Sequence, residues 1–100
     1  MPRTARRKPN EIVRSWPTVK SEDPVGEVAR RFTLNLREAI GERSIRAAAR
    51  AADLSHVTLV AILEGRTWPD METIAKLELF LDADLWPGRQ KPSSDEQPAD

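Results

Sequence analysis

Apolar residues recur at intervals of three and four from Val25 to Leu81, and caps and stops cut that rhythm into four helical stretches. The first opens at Asp23-Pro24, a capping side chain followed by a residue whose fixed φ suits the first helical position. It runs to about Ile40, where Gly41 closes it. Val25, Val28, Phe32, Leu36 and Ala39 form its inward stripe; Leu34 points nearly opposite Phe32 and either lies under another segment or is one of the exposed apolar residues that every surface has. The second stretch opens at Ser44 and is lined by Ala47, Ala48, Ala49, Ala51 and Ala52. Ser55 caps the third, with Leu59, Ile62 and Leu63 inward. After Glu64-Gly65-Arg66-Thr67-Trp68-Pro69, Asp70 caps the fourth, which runs to about Leu81 on the stripe Met71, Ile74, Leu77 and Leu81. Leu85 and Trp86 then form a short apolar closure, read as a final helical turn, before Pro87-Gly88.

The second and third stretches are joined by only Ala52-Asp53-Leu54-Ser55. A reversal this tight needs one residue in the left-handed region, and Asp53 is the candidate. Small residues on the second helix let the third cross it closely and stand proud of the surface, which is the construction of a helix-turn-helix. The expected fold is all-α, a compact domain of four to five helices with flexible termini. Residues 1–22 are expected to form a basic, partly disordered arm, residues 23–87 the folded domain, and residues 88–100 a disordered polar tail. Residues 9–17 carry enough apolar content to dock on the domain, and the sequence does not decide whether they do.

Composition narrows the chemistry. The chain has 100 residues, 39% of them hydrophobic, enough for one small core. It has no cysteine and a single histidine, His56, so disulfides, thiolate metal sites, a zinc site and an ordinary Ser-His-Asp constellation are all excluded. No cluster of acidic metal ligands is evident either. The expectation is a protein that is not an enzyme and needs neither cofactor, metal nor small-molecule ligand. No apolar run has the length to cross a bilayer, and MPRTARRKPN lacks the hydrophobic stretch of a secretory signal, so a cytoplasmic location without membrane contact is expected. Formal charge is zero, but residues 1–22 carry six basic and two acidic side chains while residues 23–87 carry eight and eleven. Positive charge is concentrated in the arm. Within the middle, Arg43, Arg46, Arg50 and Arg66 flank the third helix, and Glu72, Glu78, Asp82 and Asp84 gather beyond it.

From Val25 to Trp86, roughly two thirds of the chain, the sequence resembles the Cro/repressor-type (Xre-like) helix-turn-helix family with its lambda-repressor-like fold. The residues that carry the resemblance are Ala49 at the small position of the first motif helix, Leu54 after the turn, Leu59 and Ile62 on the buried side of the second, and Gly65 with Pro69 in the following loop. The resemblance implies a sequence-specific regulator of transcription, such as a repressor, that binds double-stranded DNA, commonly as a homodimer on a palindromic operator. It places base reading at His56, Val57 and Ala61 with Thr58 and Val60 alongside, and phosphate contacts near Ser44, Ile45 and Arg66. Three positions depart from the pattern. Ile45 stands where the family favours a phosphate-touching glutamine, Asp53 replaces the turn glycine, and Leu63 replaces the acidic end of a buried Arg-Glu tie, for which Arg37 and Glu64 offer a substitute.

The outward face of the third helix is mostly apolar. Val57, Val60 and Ala61 suit thymine methyls, His56 a purine edge, and Thr58 the backbone, whereas the arginine, asparagine and glutamine that dominate direct readout are missing from it. Affinity is therefore expected from phosphates, through Arg43, Ser44, Arg46, Ser55, Arg66, Thr67 and the helix amides, with Arg3, Arg6, Arg7 and Lys8 as possible arm contacts. The competing reading is a protein-interaction module, antitoxin-like or an adaptor, that grips a partner with Val57, Val60 and the N-terminal segment. Trp68, Trp86 and Trp16 read as lids on a small core.

Overall fold

A computed structural model describes residues 7–91, and Arg3 and Arg6 of the expected arm lie outside them. Among the described residues the chain forms five helices and no strand: α1 (Pro9–Ile12), α2 (Pro24–Ile40), α3 (Ile45–Ala51), α4 (His56–Leu63) and α5 (Met71–Leu81). The all-α class and the four helical stretches read from the sequence are thus the observed ones, with α1 added.

The caps act where the sequence put them. Asp23 accepts from the amides of Val25 and Gly26, Ser44 from Ala47, Ser55 from Thr58 and Asp70 from Thr73. Each satisfies a first-turn donor that has no partner inside its helix. The Thr73 amide also holds the Asp70 carboxyl below the ordinary carboxylate range.

One core joins four of the helices. Phe32, Leu36 and Ile40 of α2 meet Ala48, Ala49 and Ala52 at α3, Leu59, Ile62 and Leu63 of α4, Leu77 and Leu81 of α5, and Leu85. Three of the five alanines pack inward, while Ala47 and Ala51 face out. Leu34 is 39% exposed.

Two stripe residues differ from expectation: Val25 is 60% and Met71 85% exposed. Both lie in the first turn of their helices, ahead of the levels where Phe32, Ile74 and Leu77 reach the core. Together with Phe32, Trp68 and Trp86 they line an open apolar groove of about 500 Å³. Trp86, 54% exposed, is a groove wall where a lid on the core was expected. Leu85 and Trp86 are irregular where a helical turn was expected, because both amides donate to Oε2 of Glu78, at 2.8 and 2.9 Å, and Asn35 donates to the Leu85 carbonyl. A side chain, in place of a helical ladder, fixes this closure.

The question that the sequence left open lies before Asp23. Val13 is 1% exposed, and Pro9 and Pro17 are buried, so residues 9–17 are packed chain that docks on the domain. Glu27, 3% exposed near the start of α2, organises the return of this segment. Its carboxylate accepts from Arg30, Arg31 and the Ser21 amide, and Arg30 also reaches the Pro17 carbonyl. The Arg30 hydrogen bond leads the effects that hold the Glu27 pKa at about 2, against the opposing effect of burial.

Candidate nucleic-acid interface

The α3–α4 connection is a left-handed C-cap. Asp53 has φ 58°, its amide donates to Arg50 O at 3.1 Å, and the Leu54 amide reaches Ala49 O at 2.8 Å. These are the two bonds of a Schellman motif, so Asp53 supplies the left-handed conformation that glycine most often provides at this position. Ser55 follows at once as the cap of α4, and Ala48, Ala49 and Ala52 let Leu59 and Ile62 come close enough to be 0% and 2% exposed. Short side chains on one helix and two capped ends therefore fix the crossing.

The outer side of α4 is open at its beginning and partly covered further along. Val57 is 70% exposed and Thr58 is exposed, while His56, Val60 and Ala61 are half-buried. Ser55 and Thr58 share a hydrogen bond of 2.8 Å between their hydroxyls, and the Ser55 oxygen also accepts the Thr58 amide. The Ser55 hydroxyl is thus committed to the cap, which leaves the Thr58 proton as the outward donor.

The basic residues fall at both ends of α4. Arg46, Arg50 and His56 share a shallow hollow of about 350 Å³ beside Asp53, and Arg46 is exposed. Arg43 shares another, of about 300 Å³, with Arg37 and Leu63 at the far end of the helix. Ser44 is exposed, with its oxygen accepting the Ala47 amide. Arg66 is exposed and paired with Glu64 at 2.8 Å, and Thr67 is half-buried. The substitute tie between Arg37 and Glu64 is not formed. Arg37 donates instead to the Leu63 carbonyl at 3.3 Å, because Glu64 turns to Arg66.

The sequence reading missed what closes the end of α4. The Trp16 indole N–H donates to Leu63 O at 2.9 Å, the Asn10 side-chain amide to Glu64 O at 3.1 Å, and the Asn10 backbone amide to Gly65 O at 3.0 Å. With Arg37, these donors satisfy carbonyls that α4 leaves unpaired at Leu63 and its cap Glu64, and the Gly65 carbonyl of the loop beyond. The available signal was Pro9 followed by Glu11, a first-turn pattern: Glu11 Oε1 accepts the Lys8 amide at 2.7 Å. Trp68, read as a lid, donates its indole N–H to Arg7 O at 2.7 Å and so ties the start of the described chain to the loop after α4.

Among the described residues no group of three or more His, Asp or Glu side chains is placed to hold a metal ion, and no helix is long and apolar enough to cross a membrane. Comparison of the chain with protein-family models, curated proteins and solved structures finds no match, so the functional reading stands on the residues and their geometry.

Proposed function

We propose that this protein is a sequence-specific binder of double-stranded DNA that regulates transcription by occupying an operator, with α4 as the reading helix. The observation that carries the reading is the capped Asp53 turn, which seats α4 across the alanine face of α3 with Val57 70% exposed and Arg46 and Arg50 beside its first turn. An eight-residue helix is about 12 Å long, comparable with the major-groove width of about 12 Å. Val57, Val60 and Ala61 offer apolar contacts to thymine methyls, His56 and Thr58 polar ones, and Arg43, Ser44, Arg46, Arg66 and Thr67 the phosphate contacts. Base discrimination is modest for such a surface, and affinity is dominated by phosphates. A homodimer would set two reading helices about 34 Å apart, one turn of the duplex.

A second reading, a protein-interaction module, draws on the same exposed Val57 and on the apolar groove beside Val25, Met71 and Trp86. Salt separates the two. Binding through several phosphates weakens steeply as salt rises, whereas an apolar protein contact changes little. The deciding experiment is selection from a random duplex pool, repeated with Arg46→Ala and His56→Ala. Uniform weakening in the first and an altered base preference in the second are expected; a pool that shows no enrichment favours the interaction module.

A further inference from the structure

We infer that the N-terminal segment builds a second phosphate-binding surface at the far end of α4, formed by Arg7 and Lys8 with Arg66 and Thr67, for the DNA strand opposite the one met by Arg46. The inference rests on α4 as the reading helix. It joins the phosphate contacts of Arg66 and Thr67 to an N-terminal segment that lies outside the helix-turn-helix itself.

The last turn of a helix presents unpaired carbonyls and the negative end of the helix dipole, which repel a phosphate. Here Trp16, Asn10 and Arg37 cover the carbonyls of Leu63, Glu64 and Gly65 with N–H donors, so that end is neutralised by chain from elsewhere in the sequence. The same segment delivers cations. From Asn10 the chain runs back through Lys8 and Arg7, both exposed, and the Trp68 indole holds the Arg7 carbonyl beside the loop that carries Arg66 and Thr67. Among the described residues Arg7 donates to the Glu11 backbone carbonyl at 3.1 Å, and neither the Arg7 guanidinium nor the Lys8 ammonium has an ion pair. Glu11 is engaged by the Lys8 amide and Glu64 by Arg66, so Arg7 and Lys8 keep their charge available for a ligand. Across a helix about 12 Å long, cations at both ends match the spacing of the two sugar-phosphate backbones that wall the major groove.

The test measures duplex affinity of the full chain between about 50 and 200 mM salt, on duplexes recovered from the random pool or, without enrichment, on the unselected pool. The double variant Arg7→Gln with Lys8→Gln is expected to flatten the dependence of log Kd on log salt by about 2, close to 0.9 for each phosphate left without its cation, with an unchanged melting midpoint. Trp68→Phe keeps every charge and an aromatic ring but deletes the indole donor. It is expected to weaken binding at least about threefold, the cost of holding an unanchored arm, with the slope retained. An unchanged slope in the double variant overturns the surface, and wild-type affinity in Trp68→Phe overturns the anchoring. If the intact chain binds no duplex at all, the reading of α4 fails; if it binds and the Arg7 and Lys8 variant binds with the same slope, only this inference fails.

Discussion

The indole of Trp16 fills the space that a Cβ on Gly65 would need: its Cε2 and Cδ2 atoms lie 2.7 and 2.8 Å from that position. Gly65 also has φ +73°, a conformation that side chains resist. Gly65→Ala therefore meets two separate costs, a local strain of about 1 kcal/mol and the displacement of a packed ring, for a total loss of about 2 to 4 kcal/mol in denaturant unfolding. In a Trp16→Ala background the ring is gone but the strain and a 3.0 Å approach to Asn10 Cβ remain, and the cost falls to about 1 to 2 kcal/mol. Equal costs in both backgrounds would show that the ring does not depend on this glycine.

The same pair of residues also marks the limit of what was legible in the chain. Asp23, Ser44, Ser55 and Asp70 cap neighbours two or three residues away, so their chemistry is visible in a short window. The left-handed Asp53 was legible for the same reason, since too few residues separate α3 from α4 for any other reversal. Trp16, Asn10 and Trp68 find their partners 47, 54 and 61 residues away, and nothing in local spacing encodes those pairs. Val25 and Met71 failed differently. Periodicity gives the angle around a helix but not the depth along it, and both sit in first turns that overshoot the core. Of the candidate surface, the crossing helices were legible and the closure of α4 was not.

Asp53→Gly tests the turn. The Asp53 side chain is 85% exposed and lies 3.6 Å from Lys76, a surface pair worth little, while the hydrogen bond from Lys76 to the Asp53 carbonyl does not need the side chain. Glycine relieves the left-handed strain at the cost of a looser unfolded chain, and the two nearly cancel. The melting midpoint is expected to hold or rise slightly. A clear fall would assign the Asp53 carboxylate a further structural task.

Glu27 makes stability depend on acid. Its pKa is lowered from 4.5 to about 2 by the hydrogen bond from Arg30, working against burial and aided by Arg31 and the Ser21 amide. A depressed carboxyl pKa contributes stability that is fully present above the unfolded value and is lost as pH falls through the folded one. The contribution is on the order of 3 kcal/mol at neutral pH and disappears between about pH 4.5 and 2. Glu27→Gln is expected to be less stable at pH 7 and to show a shallower fall across that window. Parallel curves for the two proteins in urea would show that acid sensitivity arises at other carboxylates.

Glu64 borders the proposed second phosphate surface, and its pairing with Arg66 sets a conflict between stability and binding. Both side chains are about half exposed, so the 2.8 Å pair adds no more than about 1 kcal/mol to the fold, and Glu64→Gln is expected to shift the melting midpoint only slightly. Toward a duplex the effect runs the other way. Removing the carboxylate frees the Arg66 guanidinium and deletes a negative charge that faces phosphates, so affinity is expected to rise about threefold near 50 mM salt, with the gain shrinking as ions screen the site. Arg66→Gln made alone is expected to weaken binding, and in the double variant the benefit of Glu64→Gln is expected to shrink to the deleted repulsion. Weaker binding by Glu64→Gln would mean that the carboxylate aims Arg66 at its phosphate, with Arg66 still touching the DNA. Unchanged affinity in both single variants would place the bound DNA away from this end of α4.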